Sequence, residues 1–401
     1  MQITKFQRKI KILFSILLLK LTFTTNILAE IKIGIVLGFT GPVENLTPSM
    51  AESAELALKE ATDSGLLLNG ETISIIKADT TCTDSDAAII ATERVISEGA
   101  KAIIGAVCPE ITKAILLNSV IPNKVTMISP AATSSDLTSL NDDGFFFRTT
   151  PSDTRGGEVL ADITKDRKIK KVAITFTNNE NEKNLADVYK KSVEAYGIEV
   201  SIMIPHEDGK EDYSSEVATL ASAGGDAVVV IGYLEQGGKE IIKASLDSGA
   251  FDKFILSDGM IDQSLIDTFG KKLNKSFGFI PGSYGKRASF FNRVAAKGGI
   301  NISYPYTGES YDAAALIILA IQAGASANSN SIAKNVMYVA NAPGTKIYPG
   351  EIKKGLELLA KGKKIDYEGA TGVSFNELGE ANGSFLEQEV KNRKFRAKKQ
   401  R

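Results

Sequence analysis

The chain has 401 residues, and 43% of them are hydrophobic, which is the composition of a globular protein long enough for two packed domains. Its formal net charge is −1, but residues 30–401 alone carry about −6, because the five charged residues before position 30 are all basic. An acidic surface of this kind argues against nucleic acid as a partner.

Residues 1–29 have the three parts of a secretory signal peptide. Basic residues from Lys5 to Lys11 precede an apolar run at 12–19, and Ala29 supplies a small residue for cleavage. A retained membrane anchor is the alternative, but the apolar run is shorter than the roughly 20 residues that span a bilayer, and Lys20 interrupts it. We therefore expect cleavage and export.

From Ile31 onward, strand and helix patterns alternate over short connections. IKIGIVLG at 31–38 is a continuous apolar run, typical of a parallel strand buried on both faces. The alternation predicts a doubly wound α/β sheet with right-handed crossovers. The first series comprises strands at 31–38, 72–79, 101–107 and 124–129 with helices at 49–62, 86–99 and 111–121.

A second series follows the irregular stretch 141–157 and predicts a second lobe of similar architecture. After 277–283 the pattern changes to longer helices, of which 307–325 is the most apolar. A strand pair is expected on the two sides of the turn NELGEANG, and the basic end 391–401 is interpreted as a solvated tail. The second series comprises strands at 170–177, 198–205, 226–233 and 253–258 with helices at 182–196, 212–223 and 236–248.

The chain has two cysteines, Cys82 and Cys108, and each follows a predicted strand. A reduced cytosolic chain could carry two unrelated thiols. In an exported chain, a pair of cysteines favours one disulfide.

Side chains that could support catalysis or bind a metal are few. His206 is the sole histidine and is interpreted as a surface loop residue, and neither HExxH nor GxSxG occurs. LGFTGP at 37–42 follows the first strand but lacks the GxGxxG spacing, and Pro42 removes an amide from a phosphate-binding turn. The sequence therefore predicts no enzyme, no metal site and no cofactor.

The loops after the predicted strands are rich in hydroxyl and amide side chains, at the edge where open α/β sheets bind ligands. Helix capping explains many of these residues without any ligand. A small zwitterion would need backbone amides and hydroxyls for its anion, an acid for its cation and aromatic rings around it. Candidates for the acid and the rings are Asp258, Glu110, Tyr233 and Tyr311.

Several motifs together resemble the periplasmic branched-chain amino acid-binding proteins, the Leu/Ile/Val-binding family of ABC transporter solute receptors. MISPAATSSDLT followed by FFFRTTPSD is the most specific of them. The resemblance covers essentially the whole chain after residue 29. The other motifs are IKIGIVLGFTGP, the two cysteines (which match the family's disulfide), the GY of VVVIGY, SDG at 257–259 and SYDAAA at 310–315.

The resemblance implies the type I periplasmic binding protein fold, in which three crossover strands join two α/β lobes around a ligand cleft. It implies a first lobe of residues 30–150 with 281–375 and a second lobe of residues 151–280 with 376–401. Family members close over the ligand by a hinge and deliver it to a membrane permease without catalysing a reaction.

Carried over by resemblance, the backbone amide of Ala131 and the hydroxyl of Thr133 hold the α-carboxylate of the ligand. Tyr233 matches a cleft tyrosine, and Asp258 matches an acid that holds the α-ammonium group. Glu110 is a further candidate for an acid that holds the cationic group of the ligand.

Three positions depart from the family pattern. Pro109 stands where a serine usually grips the carboxylate, and Leu46 and Asn181 stand near positions that are often aromatic. The ligand is therefore not restricted to leucine and its relatives, and a polar amino acid, an amide or another small amine-bearing solute is equally compatible.

We expect a monomeric receptor in the periplasm that binds a small amino-acid-like solute for an ABC importer, with an inner-membrane permease as its partner. The alternative is a ligand-binding sensor or regulator that uses the same fold without transport. The predicted signal peptide disfavours a cytosolic regulator, and no further apolar run predicts the spanning helix of a sensor.

Overall fold

The computed structural model describes residues 30–282 and 285–401. The predicted signal peptide, residues 1–29, lies outside the described residues. Two largely parallel sheets organise the described chain, and we name the lobes after them: the first lobe contains a five-stranded sheet and the second lobe a seven-stranded sheet. The prediction of two parallel-sheet α/β lobes is confirmed.

The strands of the first sheet are β1 (Glu30–Leu37), β2 (Thr72–Asp79), β3 (Ala102–Gly105), β4 (Thr126–Ser129) and β5 (Phe146–Arg148). They are all parallel, in the order β2-β1-β3-β4-β5. The central strands β1, β3 and β4 are buried along most of their length, as expected for a parallel sheet covered on both faces.

The second sheet begins with β6 (Lys171–Thr177), β7 (Glu199–His206), β8 (Ala227–Ile231), β9 (Phe254–Leu256) and β10 (Phe277–Pro281). A separate pair, β11 (Thr345–Ile347) and β12 (Ile365–Tyr367), precedes β13 (Phe385–Val390) and β14 (Phe395–Gln400), which return to the second sheet. The order is β14-β13-β10-β9-β8-β6-β7, with β13 and β14 antiparallel to their neighbours.

The helices that cover the sheets follow the predicted alternation. They are α1 (Thr47–Ser64), α2 (Ser85–Ser97), α3 (Pro109–Ile115), α4 (Asp153–Asp166), α5 (Glu180–Ala195), α6 (Ser214–Ala223), α7 (Lys239–Ser248), α8 (Gln263–Phe269), α9 (Lys286–Gly298), α10 (Thr307–Ala323), α11 (Ser329–Ala340) and α12 (Ile352–Ala360). Among the helices of residues 30–282 and 285–401, none combines the length and the apolar character that a bilayer crossing requires.

The apolar core of the first lobe joins two distant parts of the chain. Residues from 31–147 pack with residues from 291–381 in one buried cluster. Helix α10 lies within it, since every residue from Thr307 to Ile321 is buried. The core of the second lobe draws on 159–279 and on β13. The crossover positions near 150, 280 and 376 stay a prediction.

The C-terminal end differs from the sequence-based expectation in two respects. The strand pair around NELGEANG is reduced to a bridge between Phe375 and Ala381, while 385–390 pairs with β10 and β14 instead. The basic end is not a solvated tail, because it forms β14, and Arg401 pairs with the buried Glu387. The sequence pattern did not predict this strand, because its basic side chains are exposed. Exposed basic residues are nevertheless common on a strand at the edge of a sheet.

Candidate ligand-binding site

The carboxyl ends of strands from both sheets face each other across a cleft and enclose a cavity of about 20 Å³. This volume corresponds to about one or two water molecules, so a larger solute requires the lobes to lie further apart than they do here. The first lobe lines the cavity with Val43, Leu46, Val107, Pro109, Ala131, Thr133 and Tyr306, and the second with Asp153, Asn181, Glu182, Leu185, Gly232, Tyr233, Asp258 and Gly259.

The loop after β4 is organised by the buried hydroxyl of Ser129. This hydroxyl donates to the carbonyl of Ala106 (2.7 Å) and accepts from the N–H groups of Ala131 (3.3 Å) and Ala132 (2.9 Å). The N–H of Thr133 forms no hydrogen bond within residues 30–282 and 285–401. The free backbone donor of this loop at the cavity is therefore that of Thr133, since the N–H of Ala131 already has a partner.

Arg148, at the end of β5, supports the same loop from a position outside the cavity. Its side chain is 1% exposed, and its guanidinium donates to the carbonyls of Ala132 (3.2 Å) and Ser134 (2.8 Å). The guanidinium also pairs with the carboxylate of Glu380. These bonds fix the shape of the loop before any ligand binds.

Other loops of the first lobe are fixed in a comparable way. Cys82 and Cys108 form the predicted disulfide, with Cα atoms 5.6 Å apart, and Cys108 directly precedes Pro109. The Asp79 carboxylate accepts hydrogen bonds from two N–H groups of the loop after β1, that of Phe39 among them. The first-lobe side of the cavity is thus held by bonds that are complete within the protein.

The second lobe places three carboxylates on the opposite side of the cavity. Asp153 begins α4, Glu182 lies in the first turn of α5, and Asp258 follows β9. Asp153 and Glu182 are almost fully buried, with exposed fractions of 8% and 9%. Within the described part of the chain, none of the three forms an ion pair.

Hydrogen bonds connect two of these acids to the first lobe. The hydroxyl of Tyr306 donates to the carboxylate of Asp258. The Asp153 N–H donates to the Thr133 carbonyl (2.8 Å), and the Thr133 side chain lowers the pKa of Asp153. Asp153 and Asp258 therefore take part directly in the contact between the lobes.

Close packing of two glycines positions Tyr233 beside Asp258. A Cβ at Gly259 would come 2.5 Å from the carbonyl oxygen of Gly232 and 3.0 Å from the Tyr233 ring. A side chain at position 259 would push the ring away, so the GY and SDG motifs act as one structural unit.

Burial raises the pKa of all three carboxyl groups. Burial and the charge of Asp258 raise the pKa of Asp153 to about 7. Burial raises the pKa of Glu182 well above its ordinary value, and the charges of Asp153 and Asp258 add to this. Burial also raises the pKa of Asp258, although the hydrogen bond from Tyr306 opposes the shift. Near neutral pH the cluster holds protons that a cation can displace.

Four of the five predicted ligand contacts line the cavity: Ala131, Thr133, Tyr233 and Asp258. Glu110 is exposed at the start of α3 and does not line it, although its charge acts on Tyr233. The three departures from the family pattern, Leu46, Pro109 and Asn181, all lie at the cavity.

Sequence reasoning missed three residues of the cavity: Asp153, Glu182 and Tyr306. Asp153 closes the motif RTTPSD and Glu182 follows Asn181, so both adjoin positions that the resemblance had singled out. The candidate Tyr311 does not line the cavity, because it is fully buried in the first-lobe core and donates to a glutamate of α1 (2.8 Å).

His206 is not the surface loop residue that its polar surroundings suggested. It ends β7, is 1% exposed, and its ring nitrogens lie 2.8 Å from the Thr175 hydroxyl and 3.2 Å from the Thr177 hydroxyl. Burial lowers the pKa of His206 to about 4, which keeps the ring neutral. No group of three or more His, Cys, Asp or Glu side chains in residues 30–282 and 285–401 is arranged so that it could hold a metal ion.

Comparison with known proteins agrees with this architecture. The Leu/Ile/Val-binding protein homolog 3 of Brucella melitensis is 31% identical over 218 residues, which is 54% of this chain and 58% of that protein. The chain thus matches less than two thirds of the length of this curated relative.

Two solved structures share the fold over almost their whole length. The leucine binding protein LivK of Thermotoga maritima has a TM-score of 0.78 at 21% identity, covering 92% of this chain and 98% of that chain. The branched-chain amino acid transporter substrate binding protein LivJ of Streptococcus pneumoniae, in complex with isoleucine, has a TM-score of 0.74 at 19% identity, with coverages of 92% and 98%.

A family model described as periplasmic binding protein matches residues 30–352, which is most of the chain. This match and the similarity to the Leu/Ile/Val-binding homologue confirm the resemblance that the motifs indicated. The chain belongs to the periplasmic binding protein family.

Proposed function

We propose that the protein is an exported solute-binding receptor of an ABC importer, which binds a small amino acid or amino-acid-like solute and delivers it to a membrane permease. The observation that carries this proposal is the cavity between the strand ends of both lobes, with Thr133 on one side and Asp258 on the other. Such a site couples binding to the separation of the lobes, which is what capture and release require.

The anionic group of the ligand binds at the loop after β4, where Thr133 offers its N–H and its hydroxyl and Ala131 leaves the backbone uncovered. Asp258 and the ring of Tyr233 hold the cationic group, since a carboxylate and an aromatic face both favour a cation. Ser129 and Arg148 organise the loop in advance, which lowers the free energy cost of binding.

The lobes close over the ligand by a hinge at the crossovers near 150, 280 and 376. The hydrogen bond from Tyr306 to Asp258 and the bond from the Asp153 N–H to the Thr133 carbonyl form as the lobes close. The receptor acts as a monomer in the periplasm after removal of the signal peptide, and it catalyses no reaction.

The departures at Leu46, Pro109 and Asn181 favour a ligand other than leucine, isoleucine or valine. Pro109 has neither a hydroxyl nor an N–H to offer an anion, so Thr133 carries more of that contact. Leu46 and Asn181 provide no aromatic face for a branched side chain.

Isothermal titration calorimetry of the purified protein against amino acids, amides and polyamines tests the proposal. We expect at least one of these solutes to bind, and Thr133→Ala and Asp258→Asn each to weaken its binding by tenfold or more. Thr268→Ala and Asp267→Asn, exposed positions on α8, are the matched controls and leave affinity unchanged.

Failure of every solute to bind, or full affinity in both cavity variants, would refute the assignment. Cellular uptake of the identified solute, lost when the receptor gene is deleted, separates an importer component from a sensor.

A further inference from the structure

The charge of the cavity exceeds what a simple zwitterion can balance. Asp153, Glu182 and Asp258 come from three different elements of the second lobe, and all three line the cavity. The charge of Asp258 raises the pKa of Asp153, and the charges of Asp153 and Asp258 raise that of Glu182, so the three lie within electrostatic range of each other. A zwitterionic amino acid brings one cationic group to these three carboxylates.

The protein itself supplies no cation to the cluster among the described residues. Arg148 is the nearest basic group that acts on Asp153, but it is committed to Glu380 and to the carbonyls of Ala132 and Ser134. It also lies outside the cavity, which no lysine or arginine of residues 30–282 and 285–401 lines.

Glu182 is the acid that family resemblance leaves unexplained. The residue is only 9% exposed, and it lines the cavity. Its carboxylate accepts no hydrogen bond from any described residue, in contrast to that of Asp258. A buried carboxylate without partners is costly, so its presence at a ligand cavity indicates that the ligand supplies the partner.

The first-lobe loops of the same cavity offer few donors for an anion. The Ala131 N–H already bonds to Ser129, and Pro109 has no N–H. The N–H and the hydroxyl of Thr133 are the donors that remain in this loop, and the Thr133 side chain also lowers the pKa of Asp153. The cavity therefore accommodates more positive than negative charge.

We propose that the ligand is a small solute with two cationic nitrogen groups and at most one carboxylate, such as a basic amino acid or an aliphatic diamine. Asp258, with Tyr233 and Tyr306, holds one cationic group, and Glu182, with Asp153, holds the other. The apolar side chains of Val43, Leu46, Val107 and Leu185 line the same cavity and suit the methylene chain between the two groups. This inference rests on the proposed receptor function and names its substrate class.

Calorimetric titration with L-lysine, L-arginine, 1,4-diaminobutane, 1,5-diaminopentane and L-leucine at pH 7.5 tests the inference. We expect at least one dication to bind at least tenfold more tightly than L-leucine. L-lysine against 1,5-diaminopentane, which lacks the carboxylate, then shows whether an anionic group contributes.

Glu182→Gln is expected to weaken binding of the dication at least tenfold, with a much smaller effect on L-leucine. Glu180→Gln is the matched control, because Glu180 lies in the same first turn of α5 but is exposed, and it leaves both affinities unchanged. The circular dichroism spectrum of each variant verifies its fold.

The proton balance gives a second readout. The groups that act on Glu182 and its neighbours are Asp153, Asp258, Tyr233, Tyr306, Glu110 and Arg148. Because the acids hold protons near neutral pH, a dication releases protons on binding and its affinity rises between pH 5.5 and 8. A neutral ligand that accepts from protonated acids would show the opposite slope.

The outcomes separate the two proposals. Tighter binding of L-leucine than of every dication, or unchanged dication binding in Glu182→Gln, overturns the inference and leaves the receptor function intact. Absence of binding by any amino acid, amide or polyamine overturns both.

Discussion

The two sides of the cleft are built on different principles. On the first-lobe side, the Ser129 hydroxyl, the Arg148 guanidinium and the Cys82–Cys108 disulfide hold the loops in bonds that are complete without a ligand. On the second-lobe side, Glu182 and Asp153 are buried and form no ion pair among the described residues. The first-lobe side is preorganised, and we call Ser129, Arg148 and the disulfide its frame. The second-lobe side carries negative charge that only a bound cationic group can balance.

This difference indicates where the molecule gives up stability for function. Residues that complete the frame stabilise the fold, and removing them is costly. The carboxylates that repel each other in the cavity destabilise the unliganded fold, so removing one of them is expected to stabilise it. Variants on the two sides are therefore expected to change the free energy of unfolding in opposite directions.

Among the residues of the frame, substitution of Arg148 is expected to lower the free energy of unfolding most. Arg148→Met removes the guanidinium that pairs with the partly buried Glu380 and donates to the carbonyls of Ala132 and Ser134, which is expected to cost about 3–5 kcal/mol of the free energy of unfolding. Urea unfolding at pH 7 measures it. Arg155→Met, which breaks an exposed pair on α4, is the control and costs less than about 1 kcal/mol.

Partial recovery in Arg148→Met/Glu380→Gln would show that the unpaired carboxylate causes much of this loss. A loss below about 1 kcal/mol in Arg148→Met would contradict the supporting role of the guanidinium.

The disulfide gives the next largest effect on the same side. Cys82 and Cys108 are 26 residues apart, so Cys82→Ala/Cys108→Ala is expected to lower the free energy of unfolding by roughly 3–4 kcal/mol. Reductant should reproduce the loss in the wild type and have no effect on the double variant. Equal stability of the oxidised and reduced wild type would show that the bond does not hold the frame.

Much of this frame was predictable from the sequence, because its signals are local. Strand periodicity, the position of each cysteine and the small side chains of SPAAT all appear in short stretches. The edge strand β14 was not predictable in this way, since its exposed basic residues gain their structure from pairing with β13.

The acidic side was not predictable from the sequence for a physical reason. Glu180 and Glu182 both lie in the first turn of α5, where acids stabilise the helix dipole wherever they point. Only the packing of α5 against the cleft decides that Glu182 is buried and Glu180 is exposed. Asp153, likewise, begins a helix and needs no ligand to explain its place in the sequence.

Removal of Glu182 is expected to stabilise the unliganded protein. The folded-state pKa of Glu182 lies above its unfolded value, so the folded wild type loses stability as pH rises towards that pKa. Glu182→Gln lacks this loss, and its advantage grows between pH 5 and 8 to the order of 1 kcal/mol. Urea unfolding at three pH values measures the difference.

Glu180→Gln is the control for this experiment and shows no pH-dependent difference from the wild type, because Glu180 is exposed. If Glu182→Gln is less stable than the wild type at pH 8, groups of the protein itself stabilise the Glu182 carboxylate. The two sides of the cleft would then not differ in the way described above.

The smallest expected effect concerns Tyr306, which links the two sides. Tyr306→Phe removes the hydroxyl that donates to Asp258 across the cleft, which is expected to shift the unliganded protein towards open lobes by about 1 kcal/mol. Small-angle X-ray scattering measures this as a larger radius of gyration, which ligand then reverses. Tyr304→Phe, two residues earlier and outside this cavity, is the control. An unchanged radius in Tyr306→Phe would mean that the acids of the second lobe, rather than this hydrogen bond, determine how far the cleft closes.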